Sequence, residues 1–156
     1  MNTTISISDF DLSRAMKDIK KYSEVVQVKV KGEIKRTAYA VTNKAKRNLT
    51  DNRSVVTGNL RAQMNVNDKD INRFQAQSGT NVKYAKDVEF GTRPHIIKAK
   101  QSKYLHFKTK NGWVKKEFVN HPGSRPKPFL FPAAESERKP FINNITKILH
   151  DSAGTK

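Results

Sequence analysis

From Val30 to Leu49 the apolar residues recur at intervals of three and four: Val30, Ile34, Ala38, Val41, Ala45 and Leu49. That spacing puts them on one side of an α-helix, while Lys35, Arg36, Asn43, Lys46 and Arg47 fall on the other. It predicts one amphipathic helix over roughly residues 23–49, about 40 Å long at about 1.5 Å per residue. Val26, Val28 and Val30 also alternate with Gln27 and Lys29 in the manner of a strand, but the longer helical pattern outweighs so short a run. Gly32 sits inside the helix at a cost of about 1 kcal/mol relative to alanine. An apolar stripe of this length has to be covered, so the rest of the chain must supply a layer against it.

The remainder reads as short strands and further helices. Residues 1–10 read as a loose start with Ser8 or Asp9 as a helix N-cap, and Leu12, Met16 and Ile19 share a helical stripe. Thr50-Asp-Asn-Arg-Ser54 is turn chemistry. After Thr57-Gly58-Asn59, the residues Leu60, Ala62, Met64 and Val66 alternate with Arg61, Gln63, Asn65 and Asn67, which predicts a half-buried strand. Phe74, Ala76 and Ser78 alternate with Gln75 and Gln77 and predict its antiparallel partner, ending at Gly79. Tyr84 to Phe90 suits two turns of helix, stopped by a left-handed Gly91 and kept from resuming by Pro94.

His95 to Lys103 is basic and irregular. The runs Tyr104–Lys110 and Trp113–Val119 flank Asn111-Gly112 and predict a hairpin on a type I′ turn, which needs positive φ at both central residues. Residues 121–132 hold four of the six prolines and form a stiff loop, with Pro132 suited to the first turn of a helix. Ala133 to His150 is the last helix, with Phe141, Ile145, Ile148 and Leu149 on one face and Pro140 expected to kink it or split it. The expected fold class is α+β: an antiparallel sheet of about four strands packed against the long N-terminal helix, with a short middle helix and a C-terminal helix. One domain over residues 1–150 is expected, followed by a frayed tail at 151–156.

Composition narrows the function classes. Apolar residues make up 35% and mean hydropathy is −0.76, so the core is lean. No run of about 18 apolar residues occurs, hence no membrane partner is expected. The start, Met-Asn-Thr-Thr-Ile-Ser-Ile-Ser-Asp, lacks the basic and apolar regions of a secretory signal. Cysteine is absent, which removes disulfides and thiolate metal sites and fits assembly in a reducing cytosol. The net charge of +17 attracts polyanions and acidic protein surfaces at long range. The bases are spread along the chain, Arg14 and Lys147 among them, rather than gathering in a tail.

Catalytic constellations are thin. None of His95, His106, His121 and His150 stands three or four residues from another, so a metal site would have to be gathered by the fold alone. Asp68, Asp70, Asp87 and Glu89 are the nearest thing to a carboxylate cluster. Glu89 beside Arg93 and the basic 95–103 loop suggests salt bridging, within or between subunits, more than acid–base work. No nucleophile elbow, P-loop or dinucleotide fingerprint appears, so no enzyme activity and no cofactor are expected. A hydrolase would have to use Asp87, Glu89 and His95. Tyr104, Phe107 and Trp113 interleave with Lys108, Lys110, Lys115 and Lys116 in a way that could serve nucleic acid. The plainer reading is that Phe107 and Trp113 are core residues of a lysine-rich hairpin, whose lysines also discourage edge-to-edge pairing.

Three segments in order carry a resemblance: Val56-Thr-Gly-Asn-Leu-Arg61, then Tyr84-Ala-Lys-Asp-Val-Glu-Phe-Gly-Thr-Arg93, then His121-Pro-Gly123 with Arg125-Pro126 and Pro128-Phe-Leu-Phe-Pro-Ala133. Together they resemble the small neck proteins of long-tailed bacteriophages, called head–tail joining, tail-completion or minor tail proteins. That pattern is a Thr-Gly-x-Leu-Arg strand entry, a Tyr-Ala-x-x-x-Glu-x-Gly-Thr stretch and a Pro-Gly…Pro-Phe-Leu-x-Pro-Ala stretch opening the last helix. The likeness spans roughly residues 30–150; the N-terminal 25 residues contribute no motif to it, and the basic charge and Pro140 depart from it.

The resemblance implies a virion structural protein of the neck or tail, made in the bacterial host cytoplasm. It implies a ring that joins the DNA-filled head to the tail, with contacts to itself and to neighbouring connector or tail-tube proteins. The candidate interface residues are Glu89, Phe90, Gly91, Arg93, Arg125, Phe129 and Phe131, although two or more of the three phenylalanines could simply fill the core. The charge favours acidic protein surfaces as partners, with DNA contact second, because a strongly cationic lumen would hold DNA that has to leave. The alternative reading is a basic nucleic-acid-binding module.

Overall fold

The computed structural model describes residues 4–6, 23–54, 57–100 and 102–153. The expected N-cap at Ser8 or Asp9, the stripe Leu12–Ile19, Val56 and the tail beyond residue 153 lie outside them. Helix α1 (Glu24–Asp51) realises the opening stripe: Val30, Ile34, Ala38, Val41, Ala45 and Leu49 are all buried, and Val26 extends the stripe one turn. The space around Gly32 is open, so no close contact requires a glycine at that position.

The layer against α1 has two parts. One is helix α4 (Leu130–Ala153), its main packing partner. The other is a three-stranded antiparallel sheet of β1 (Thr4–Ser6), β2 (Asn65–Asn67) and β3 (Gln77–Gly79) in the order β1-β3-β2. Two clusters run along α1. Near its C-terminal end, Val41, Ala45 and Leu49 meet Leu60, Met64, Ala85, Phe129, Leu130 and Ala133. Near its start, Val26, Val30, Ile34 and Ala38 meet Phe74, Ala76 and Phe141. Phe129 and Phe141 are among the largest fully buried side chains, so truncating either to alanine should cost about 3–5 kcal/mol.

Between the clusters the buried Thr42 and Ser78 hydroxyls meet at 2.7 Å. Thr42 Oγ1 gives its proton to the Ala38 carbonyl at 3.0 Å, so Ser78 is the donor to Thr42. This bond fixes how β3 sits on α1.

The α+β class holds, with the strands divided among three small sheets. Other expectations shift. The predicted strand from Leu60 is instead a helical turn, α2 (Asn59–Ala62), followed by β2. Gly58, at φ +77°, turns the chain into it, and burial then falls on Leu60 and Met64, four apart, while Ala62 is exposed. In the partner, Phe74, Ala76 and Ser78 are buried in alternation as expected. The ladder begins only at Gln77, because a 3₁₀ turn over Ile71–Arg73 and a left-handed Phe74 precede it. β1 comes from a segment expected to be loose, and it pairs Ile5 with Ser78.

Helix α3 (Ala85–Phe90) forms as expected. Gly91 stops it at φ +72°, ψ −179°, an extended conformation open essentially to glycine alone, not the left-handed helical one. The segment expected to be irregular contains β4 (His95–Lys98), which pairs with β7 (Phe118–His121). Beyond them, β5 (Leu105–Thr109) and β6 (Gly112–Lys116) form the hairpin. Its register places Lys110 and Asn111 at the turn, neither with positive φ; that falls on Gly112 alone, so the type I′ expectation fails. The two ribbons make an arm over residues 94–122 in which no described residue is buried.

Pro140 does not split α4. It is exposed, so the hydrogen bond it cannot give to the Ser136 carbonyl is lost on the side open to water.

Candidate functional site

The two segments that stood out in the sequence close on each other. Ala85 and Glu89, four apart on α3, are both buried, which turns the Glu89 carboxylate toward the start of α4. There Oε2 accepts the backbone N–H groups of Phe129 at 2.8 Å and Leu130 at 3.0 Å, and Oε1 accepts that of Phe131 at 2.9 Å. These donors have no partner within the helix, and the N-terminal end of the helix dipole favours the negative charge. One carboxylate from a neighbouring helix therefore caps α4, and it forms no ion pair with Arg93 of the kind expected from the sequence. The Lys127 N–H adds a bond to the Val88 carbonyl at 2.8 Å.

From the other side, α1 holds the same segment by its carbonyls. The Asn48 amide donates to the Phe129 carbonyl and the Asn52 amide to that of Pro128, each at 2.8 Å. Farther along, Glu33 accepts from Arg36 Nε at 2.8 Å and Nη2 at 2.7 Å and from the Asn144 amide at 2.9 Å. Glu137 pairs with Lys44. Burial alone would raise the Glu33 carboxyl, but the bonds from Arg36 and Asn144 and the Arg36 charge outweigh it and hold the group below the usual carboxylate range. Sequence reasoning missed Asn48, Asn52, Glu33 and Glu137. The signal for the asparagines is their spacing, four apart beside the end of an apolar stripe.

At the root of the arm two strands of chain cross. Thr92 and Ser124 exchange backbone bonds of 3.0 and 3.1 Å. A Cβ on Gly91 would lie 2.4 Å from the Ser124 oxygen, and one on Gly123 would lie 2.2 Å from the Thr92 oxygen. Both glycines have positive φ, +72° and +88°, so a side chain is refused twice, by sterics and by backbone conformation.

The seven candidate residues thus divide by position. Glu89 and Phe129 are buried within the chain, and Gly91 is packed in the crossing. Phe90 is 63% exposed and Phe131 58%, flanking the Glu89 bonds, and Arg93 and Arg125 are exposed at the crossing. Of the three phenylalanines, Phe129 alone fills the core.

Two of the three groups a hydrolase would need, Glu89 and His95, are otherwise engaged. Glu89 accepts three main-chain protons, and His95 Nδ1 donates to the Arg93 carbonyl at 2.8 Å. The His95 and His121 rings lie 5.0 Å apart, with His121 Nδ1 accepting the Gly123 N–H. Among the described residues no group of three or more His, Asp or Glu is placed to hold a metal ion, and no helix is long and apolar enough to cross a membrane. An open hollow lined by Leu49, Leu60, Arg61, Tyr84 and Val88 contains no carboxylate and no imidazole. The core reading of Trp113 is overturned, because this residue is 77% exposed.

Neither curated proteins nor solved structures give a significant match to the chain. A family model described as "Bacteriophage HK97-gp10, putative tail-component" matches residues 13–91, just over half of the 156 residues. The match takes in α1, the Gly58 turn, strands β2 and β3 and α3 with Glu89, and it ends at Gly91. A long basic helix, a Thr-Gly turn and a buried glutamate ahead of an obligate glycine thus coincide with a tail-component model, and the chain belongs to the HK97-gp10-like family of bacteriophage structural proteins.

Proposed function

We propose that this protein is part of the neck of a tailed-phage virion, where a ring of its copies joins the DNA-filled head to the tail. It performs no chemistry there and acts as one structural domain. The observation that carries the reading is the clasp: a buried carboxylate with three backbone bonds fixes two exposed phenyl groups, Phe90 and Phe131, in water. Large apolar groups held rigidly in solvent suit docking, because little conformational entropy remains to be lost on contact. Glu89, Gly91 and Phe129 shape this surface, and Phe90, Phe131, Arg93 and Arg125 present it. The exposed guanidinium groups suit acidic faces on a connector or tail-tube protein. A closed ring needs one face of each subunit against a different face of the next, and one surface of this kind per chain meets half of that need.

The test is electron microscopy of particles made without this protein. Filled heads lying apart from finished tails are expected; normally joined virions would overturn the proposal. A Phe90→Asp/Phe131→Asp variant that folds normally yet fails to restore joining would locate the contact.

A further inference from the structure

The arm has a face that neither the clasp nor the neck reading uses. In the β5–β6 ladder, directly opposed residues share a face, so Trp113 stands beside Lys108, and Lys115 beside His106. Tyr104 joins them, since the Lys115 ammonium lies 4.5 Å from its ring centroid and that of Lys103 5.5 Å. The apolar pair Phe107–Val114 and Leu105, which stands opposite the exposed Lys116, occupy the other face, where the three apolar side chains are half-buried. From residue 105 to 116 there are four lysines and no acid.

We propose that this face binds single-stranded nucleic acid, with Trp113 as a stacking platform for a base and Lys108, Lys110 and Lys115 on the backbone phosphates. An indole that anchors a protein–protein contact sits in a well-packed, desolvated pocket among groups that exclude water. Here its neighbours on the same face are cations, and the apolar groups lie behind it. An aromatic ring set among cations is the arrangement by which unpaired strands are held without sequence preference. The lysines also guard the ribbon edges against pairing, but that duty does not require an exposed indole.

Trp113 is the chain's only tryptophan, so its fluorescence reports the event directly. The full chain is titrated with a thirty-nucleotide oligo-dT, with poly-glutamate as a polyanion lacking bases. Quenching by oligo-dT at about 0.15 M salt and none by poly-glutamate is expected. Trp113→Ala, followed by anisotropy of labelled oligo-dT, should weaken binding by about five- to 150-fold, the worth of one stacked base. Lys108→Gln/Lys115→Gln removes two cations and should make the slope of log K against log salt shallower by about 1.4. Both variants should melt with the wild type, because Lys108, Trp113 and Lys115 are all exposed. Equal affinity for poly-glutamate would assign the face to an acidic protein and overturn the proposal, as would DNA binding that leaves the indole unquenched and ignores Trp113→Ala. Neither outcome bears on head–tail joining, which particles lacking the protein test separately.

Discussion

Removing the Glu89 carboxylate should open the clasp, and the size of the effect can be worked from its bonds. Glu89→Ala leaves the N–H groups of Phe129, Leu130 and Phe131 without their acceptor; the first two bonds are buried and the third partly so. A buried donor left unpaired costs about 1–3 kcal/mol, and the interaction with the helix dipole adds up to about 2 in a partly buried setting. Water entering the space left by the side chain offsets part of this, so about 4 kcal/mol is a central value. That is a large share of a domain stability of about 5–15 kcal/mol. At about 2–4 °C per kcal/mol for a chain of this size, Tm should fall by about 8–16 °C.

Glu89→Gln is the sharper variant. Its one remaining oxygen can stand at Oε2 and keep the Phe129 and Leu130 bonds, while its NH2 group faces the Phe131 N–H. About half the alanine loss, some 2 kcal/mol, is expected. Thermal unfolding followed by far-ultraviolet circular dichroism gives the order wild type, Gln, Ala. An alanine variant within about 2 °C of wild type would refute the capping argument, because two buried charge-assisted bonds and a third partly buried one are together worth more than that. A catalytic Glu89 predicts the reverse: intact folding and lost activity.

Other substitutions test neighbouring parts. Gly91→Ala and Gly123→Ala each force a Cβ into an opposing carbonyl at positive φ, so each should cost at least about 1–3 kcal/mol and speed hydrogen exchange at the Thr92 and Ser124 amides. Asn48→Ala should cost about 0.5–1.5 kcal/mol by urea unfolding, and the exposed Asn52 bond less. For Glu33 the folded carboxyl lies below its unfolded value, so its stabilisation is full above about pH 4.3 and is lost as pH falls through the folded value. Glu33→Gln should therefore flatten the acid limb of a plot of stability against pH.

What the sequence showed and what it hid follow from the same cause. A periodic pattern arises where one side of an element is buried and the other is not. All six residues of the opening stripe are buried, and Phe74, Ala76 and Ser78 alternate because one side of the extended chain faces α1. At Leu60 and Met64 the two candidate periods differ by one residue, Ala62, and Gly58 decided for the helical turn through a backbone angle that no hydrophobic pattern records. β4 was illegible because all four of its residues are exposed, so no face is marked. The clasp was visible as a pair of stiff segments but not as a chemical bond. The partners of Glu89 are main-chain N–H groups, which every residue but proline carries, and the sequence offered Arg93 as the more conspicuous partner. Trp113 follows the same logic: an indole is assigned to the interior by its size, yet no described residue of the arm is buried. A segment that folds outside the core is relieved of the packing demands that write periodicity into a sequence, so its large apolar residues have to be accounted for by contacts the isolated chain does not make.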